Sequence, residues 1–175
     1  VFAFTAAAPI GLMKDSSTLT ITGKVESKPY IDMTRRALDL FDAPNFRTPG
    51  QLTVEGDWSN GAFWLAAQFL GSKIDVIGLS QDSPQGDRAV ADILPLMEKG
   101  CPSVSAADIP DLVPILSVAA SARNGAVFKD IRRLRLKESD RVASVIAMIE
   151  SLGGRAEADE NTLTVYGTGL TGGTV

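Results

Sequence analysis

The fold is decided by AVFKDIRRLRLKESDRVASVIAMIESLGGRAEADENTLTVYG, residues 126–167. Its first six residues, AVFKDI, carry the β-branched Val127 and Ile131 and the aromatic Phe128 in a run of strand length. Val142, Val145, Ile146, Ile149 and Leu152 then recur at i, i+3, i+4, i+7 and i+10, one face of an amphipathic helix. Ser139 or Asp140 is placed to cap that helix, and Gly153-Gly154 to stop it. RAEADE and TLTVYG, parted by a turn at Asn161, predict a hairpin. Strand, helix and hairpin in succession predict an α/β domain with helices packed on a sheet.

Outward from this stretch the same order recurs. An apolar helix, a β-branched strand and an amphipathic helix can be read in FAFTAAAPIGLM, STLTITG and KPYIDMTRRALDLF. They can be read again in AFWLAAQFLG, KIDVIGL and GDRAVADILPLM, and a third time from LVPILSVAASARNG onward. The strands are expected near residues 18, 74 and 126, a spacing of roughly 55, just beyond that of simple solenoids. Ile31, Thr34, Leu38 and Phe41 form the first helical stripe; Ala89, Ile93, Leu96 and Met97 form the second, where Pro95 is expected to kink or shorten the helix. The connections at 42–52 and 98–108 are short, and TPGQLTVEGD, residues 48–57, is the expected internal boundary. The opening VFAFTAAAPIGLM has no basic residues before it, and is expected to be a helix lacking its start rather than a signal.

Five of the 17 basic residues, Arg132, Arg133, Arg135, Lys137 and Arg141, crowd into ten positions of a chain with net charge −4. If 133–137 is extended, Arg133, Arg135 and Lys137 share one face and Leu134 and Leu136 the other. The strand would feed a helix start, where free N–H groups and the helix dipole favour anions. Arginine adds a fork suited to carboxylate or phosphate, and Glu138 would supply an acid–base group beside that field. The same pattern also fits a solvated basic edge strand that discourages aggregation.

Composition removes several classes of function. Histidine is absent, which argues against a zinc site and a Ser-His-Asp triad. A pI near 4.8 argues against nucleic acid, for which the basic cluster is too small. No apolar run is long enough for a membrane span. Cys101 is the single cysteine, which fits a reducing cytoplasm.

LRLKESDRV, residues 134–142, closely resembles the signature of the 5-enolpyruvylshikimate-3-phosphate synthase family. SKPYID at 27–32 is similar to that family's shikimate-phosphate segment, and VEGDWSNGAFWLAA at 54–67 to its domain-crossing strand and following helix. PQGDR at 84–88 and IPDLVP at 109–114 resemble two further blocks, in the expected order. The resemblance implies repeated βαβαββ units of the two-dome enolpyruvyl transferase fold, incomplete in this chain. Residues 1–50 would end the first dome, and 54–175 would form two of the three units of the second.

By resemblance the reaction moves the enolpyruvyl group of phosphoenolpyruvate to the 5-hydroxyl of shikimate 3-phosphate, releasing phosphate, in aromatic amino acid biosynthesis. Asp111 would take the hydroxyl proton, Glu138 would serve the methylene carbon with Lys137 beside it, and Arg141 would grip phosphoenolpyruvate. Ser27 would bind the shikimate phosphate and Tyr30 the ring. From the residues alone, Asp111 and Ser27 equally suit helix caps, and Tyr30 a packing position. Asp57, Asp87 and Arg88 read as caps and packing charges. Arg133 stands where some members carry an asparagine ligand. No metal or organic cofactor is expected, and the partners are the two small-molecule substrates, without nucleic acid or membrane, the complete protein being a monomer.

Other blocks of the family, its Lys-Ser clamp and its Asn-Asp-His-Arg block among them, have no counterpart, so an internal piece without turnover of its own is expected. Two alternatives are the sister enolpyruvyl transferase acting on UDP-N-acetylglucosamine and a non-catalytic α/β repeat module that binds an anionic partner.

Overall fold

This computed structural model describes residues 20, 22, 23, 25, 27–42, 45, 47–136 and 139–174. The helix expected over 1–13 lies outside them, as do most of the strand expected near residue 18 and the two site candidates Lys137 and Glu138. The described residues form a mixed α/β structure on one open sheet.

The sheet holds β1 (Ser103–Ser105), β2 (Ala126–Lys129), β3 (Arg155–Ala158) and β4 (Thr162–Tyr166) in the order β1-β2-β4-β3. β1 and β2 are parallel, and the helix α4 (Val113–Ser121) makes the crossover that parallel neighbours need. β4 is antiparallel to both β2 and β3. Alternation decides the buried face: Ala126, Phe128, Ala156, Leu163 and Val165 all point into the core. Their register pairs Ala126 with Val165 and Phe128 with Leu163.

The expected closing helix is α5 (Arg141–Ser151), which buries Val142, Val145 and Ile149. Asp140 caps it by accepting hydrogen bonds from the Val142 and Ala143 amides, both at 3.0 Å. The hairpin turn is fixed in the same way, with Asp159 accepting from Asn161 N–H at 2.8 Å and Thr162 N–H at 2.7 Å. The other helices are α1 (Lys28–Leu40), α2 (Trp58–Phe69) and α3 (Val90–Lys99), with a short 3₁₀ turn, Gly86–Ala89, leading into α3. Helix α1 buries Ile31 and Thr34, as its stripe predicts. Trp58, at 1% exposed, anchors α2 in the core, with its ring N–H on the Ser80 carbonyl.

Several expectations are corrected. Arg132–Leu136 is a 3₁₀ turn and not a strand. At three residues per turn, Ile131 and Leu134 stack toward the core, while Leu136 is left 83% exposed. Among the described residues no strand forms at 74–79, where Ile77 is left 89% exposed; Val54, on the other run, is 86% exposed. One backbone bond, Gly56 N–H to Gly78 O, ties the two runs. Helix α3 continues through Pro95 to Lys99, and it buries Val90, Ile93, Leu94 and Met97 while Leu96 faces outward.

Candidate functional site

The start of α1 is held against two other segments of the chain. Ser27 occupies the N-cap position with φ 56°, a left-handed conformation rare for serine, and its side chain does not cap the helix. Its N–H instead donates to Ala107 O at 3.2 Å, and its hydroxyl accepts from Arg133 Nη1 at 2.7 Å. The Lys28 amide donates to Asp108 Oδ1 at 3.0 Å, so the amides of this helix start are already spoken for. Lys28 Nζ pairs with Asp32 on the exposed face, away from that junction. Gly86 is needed where the segments meet, because a Cβ there would lie 2.6 Å from Asp108 O and 2.8 Å from Pro29 Cγ.

One turn along α1, the Tyr30 hydroxyl donates to Asp111 Oδ2 at 2.7 Å. Arg141, the first residue of α5, donates to the other Asp111 oxygen and, at 3.4 Å, to Pro110 O. Both partners of this ion pair are a little under a third exposed, so water weakens it less than it would an open surface pair. Asp111 is not the N-cap residue of α4. The N-cap of α4 is Leu112, without a side-chain bond. Burial pushes the Tyr30 phenol well above its ordinary value, and the hydrogen bond to Asp111 and the charges of Asp111 and Asp87 push the same way. Arg141 opposes them. The phenol is thus a hydrogen-bond donor throughout the physiological range.

Next to Tyr30 opens a cleft of about 450 Å³, lined by Met33, Glu55, Asp57, Asp87 and Asp108 among others. Four carboxylates make it a poor seat for phosphate. Neither Arg133 nor Arg141 lines it. Those two arginines reach Ser27 and Asp111 instead. Asp57 is a cap, as read from sequence, accepting from the Ser59 and Asn60 amides. Asp87 is not: it is 5% exposed, accepts from Ser59 Oγ, and is pushed above its ordinary value chiefly by burial.

Of the residues singled out from the sequence, Ser27, Tyr30, Asp111 and Arg141 converge from three segments; Lys137 and Glu138 lie outside the described residues. The Arg133–Ser27 contact, across 106 positions, escaped sequence reasoning because no local pattern links the two. Arg135 escaped it too, since strand alternation put it beside Arg133. In fact it turns to the hairpin, donating to Asp159 O at 2.8 Å.

Comparison with known proteins bears on this geometry. The profile of EPSP synthase (3-phosphoshikimate 1-carboxyvinyltransferase) matches residues 6–175. The chain belongs to the EPSP synthase family. The 3-phosphoshikimate 1-carboxyvinyltransferase of Clostridium kluyveri is 34% identical over 196 aligned positions, covering 94% of this chain and 46% of the relative. That of Clostridioides difficile is 33% identical, covering 92% and 44%, and that of Clostridium acetobutylicum 34% identical, covering 89% and 43%. This EPSP synthase family chain thus spans less than half the length of the curated relatives it matches. An alignment of 196 positions against 175 residues also means that the Clostridium kluyveri protein has residues without counterparts here, consistent with shortened connections. Among the described residues no helix is long and apolar enough to cross a membrane.

Proposed function

We propose that this chain is the internal part of an enzyme that transfers the enolpyruvyl group of phosphoenolpyruvate to the 5-hydroxyl of shikimate 3-phosphate. The observation that carries the reading is that the start of α1 gathers two sets of contacts, Arg133 on Ser27 and, three residues on, Tyr30 with Arg141 on Asp111. Two of these are cations that suit phosphate and carboxylate groups. One is a carboxylate that suits a hydroxyl proton.

The hydroxyl loses its proton to Asp111 as its oxygen bonds to the central carbon of phosphoenolpyruvate, while the methylene carbon gains a proton. That makes a tetrahedral intermediate. Loss of a proton from the new methyl group then expels phosphate and restores the double bond. Tyr30 donates to one oxygen of Asp111 and Arg141 to the other, which orients the carboxylate at the start of α1. Arg141 grips phosphoenolpyruvate, Ser27 the shikimate phosphate, and Tyr30 the ring. Lys137 and Glu138 serve the methylene carbon. Arg133, already on the Ser27 hydroxyl, adds a positive charge where an asparagine stands in some members.

Residues 1–50 end one dome in this reading, and 54–175 make two of the three units of the other, with the substrates in the cleft between the domes. Phosphoenolpyruvate brings its own activated group, so no metal or organic cofactor enters. The setting is the cytoplasm, where both anionic metabolites are retained, and the complete enzyme acts as a monomer.

The test is Asp111→Asn in the full-length protein. Removing a general base should lower kcat by about 10²- to 10⁴-fold. A kcat within about twofold of the parent would overturn the assignment.

A further inference from the structure

Arg135 lies in the basic stretch but takes no part in the junction described above, and its contacts point elsewhere. Its Nη2 donates to the carbonyl of Asp159 at 2.8 Å, and its Nη1 reaches Asp140 Oδ2 at 3.4 Å. The other oxygen of Asp140 accepts the Val142 and Ala143 amides and so starts α5. Arg141 is the first residue of that helix, and it pairs with Asp111. We propose that Arg135 is the positioning residue for Arg141, holding the Asp140 cap against the tip of the β3–β4 hairpin. The proposal rests on the role given to Arg141 above.

Three features favour a brace over a chance surface contact. The acceptor is stationary, because Asp159 turns its carboxylate onto two amides of its own turn and thereby fixes its carbonyl. The tip is also tied to the 3₁₀ turn by Ile131 N–H to Asn161 O at 3.4 Å and by an ion pair of Arg132 with Glu160 at 2.7 Å. Finally, a guanidinium presents two donors in a rigid plane, so one side chain can span a carbonyl on one side and a carboxylate on the other. A lysine ammonium on a flexible stem lacks that reach. The Arg132–Glu160 pair is far more exposed and touches neither Asp140 nor α5, which makes it the natural control.

The test compares Arg135→Met, Arg135→Lys and Arg132→Met. In the full-length protein, amide hydrogen exchange at Val142 and Ala143 should speed up about tenfold in Arg135→Met and stay unchanged in Arg132→Met. In the full-length protein, KM for phosphoenolpyruvate should rise about tenfold in Arg135→Met, with KM for shikimate 3-phosphate changed less than about twofold. Arg135→Lys should restore little of either. Unchanged exchange in Arg135→Met overturns the brace. Faster exchange without a selective rise in the phosphoenolpyruvate KM overturns the positioning role. A parent protein without any transferase activity would instead sink the function proposed above, and the exchange rates would then decide the brace alone.

Discussion

Asp87 carries a carboxyl group into the protein interior with a serine hydroxyl as its hydrogen-bond donor. Burial raises its pKa above the ordinary 3.8, the charges of Asp111 and Asp57 add to the rise, and only the Ser59 bond opposes it. The folded state therefore holds a proton at pH values where the unfolded chain has released it. The stability that this group contributes is complete below about pH 3.8 and is lost as pH climbs through the raised folded value. At pH 7 the ionised group is a burden. Asp87→Asn, which keeps a hydrogen-bonding partner for Ser59, should raise the thermal midpoint at pH 7 by about 2–4 °C. The gain should shrink toward zero on acidification to pH 4; a gain that is flat across this range would contradict the burial argument. Legibility at this scale followed range. Asp57 and Asp140 were readable because a cap acts on amides two or three positions away. The Asp87–Ser59 and Ser27–Arg133 bonds span 28 and 106 positions, and no local rule reaches that far.

The same limit shaped the elements. α1, α5 and the β3–β4 hairpin were legible because each has its own period and its own stop signals. The basic stretch was misread because charge alternating with leucine over five residues fits a strand and a 3₁₀ turn alike. What separates the two is whether both leucines find a core, and that depends on neighbours far away in sequence. Leu134 is 1% exposed and Leu136 83%. Leu134→Ala should cost about 2–5 kcal/mol in denaturant unfolding, whereas Leu136→Ala should stay within about 0.5 kcal/mol. Equal losses at the two positions would restore the strand. The turn matters for the site because it is what aims Arg133 back at Ser27 and Arg135 at the hairpin, opposite errands that a flat strand would have merged.

For the molecule as a whole, the five ordered motif blocks identified the family, while the repeat spacing alone gave only an α/β expectation. The strand expected at residue 74 shows why: a β-branched run becomes a strand only if a neighbour offers it hydrogen bonds, and this one has a single backbone tie to Gly56. In the proposed reaction, the contacts of Arg133 with Ser27 and of Tyr30 and Arg141 with Asp111 supply part of what is needed. Two anionic substrates bound at once require cations on more than one side, because each uncompensated charge is costly to shield from water. The chain spans less than half of its relatives, and on the proposed reading the further cations belong to the parts of those relatives that it does not match. Alone, the 175 residues should show no turnover above background, and heating them with shikimate 3-phosphate should raise the midpoint by less than about 1 °C, since weak ligands add little stability. The full-length protein should be raised by several times that amount with shikimate 3-phosphate and not at all with UDP-N-acetylglucosamine. Turnover by the isolated chain would mean that the junction is a complete site, and protection of the full-length protein by the UDP-sugar would assign it to the sister reaction.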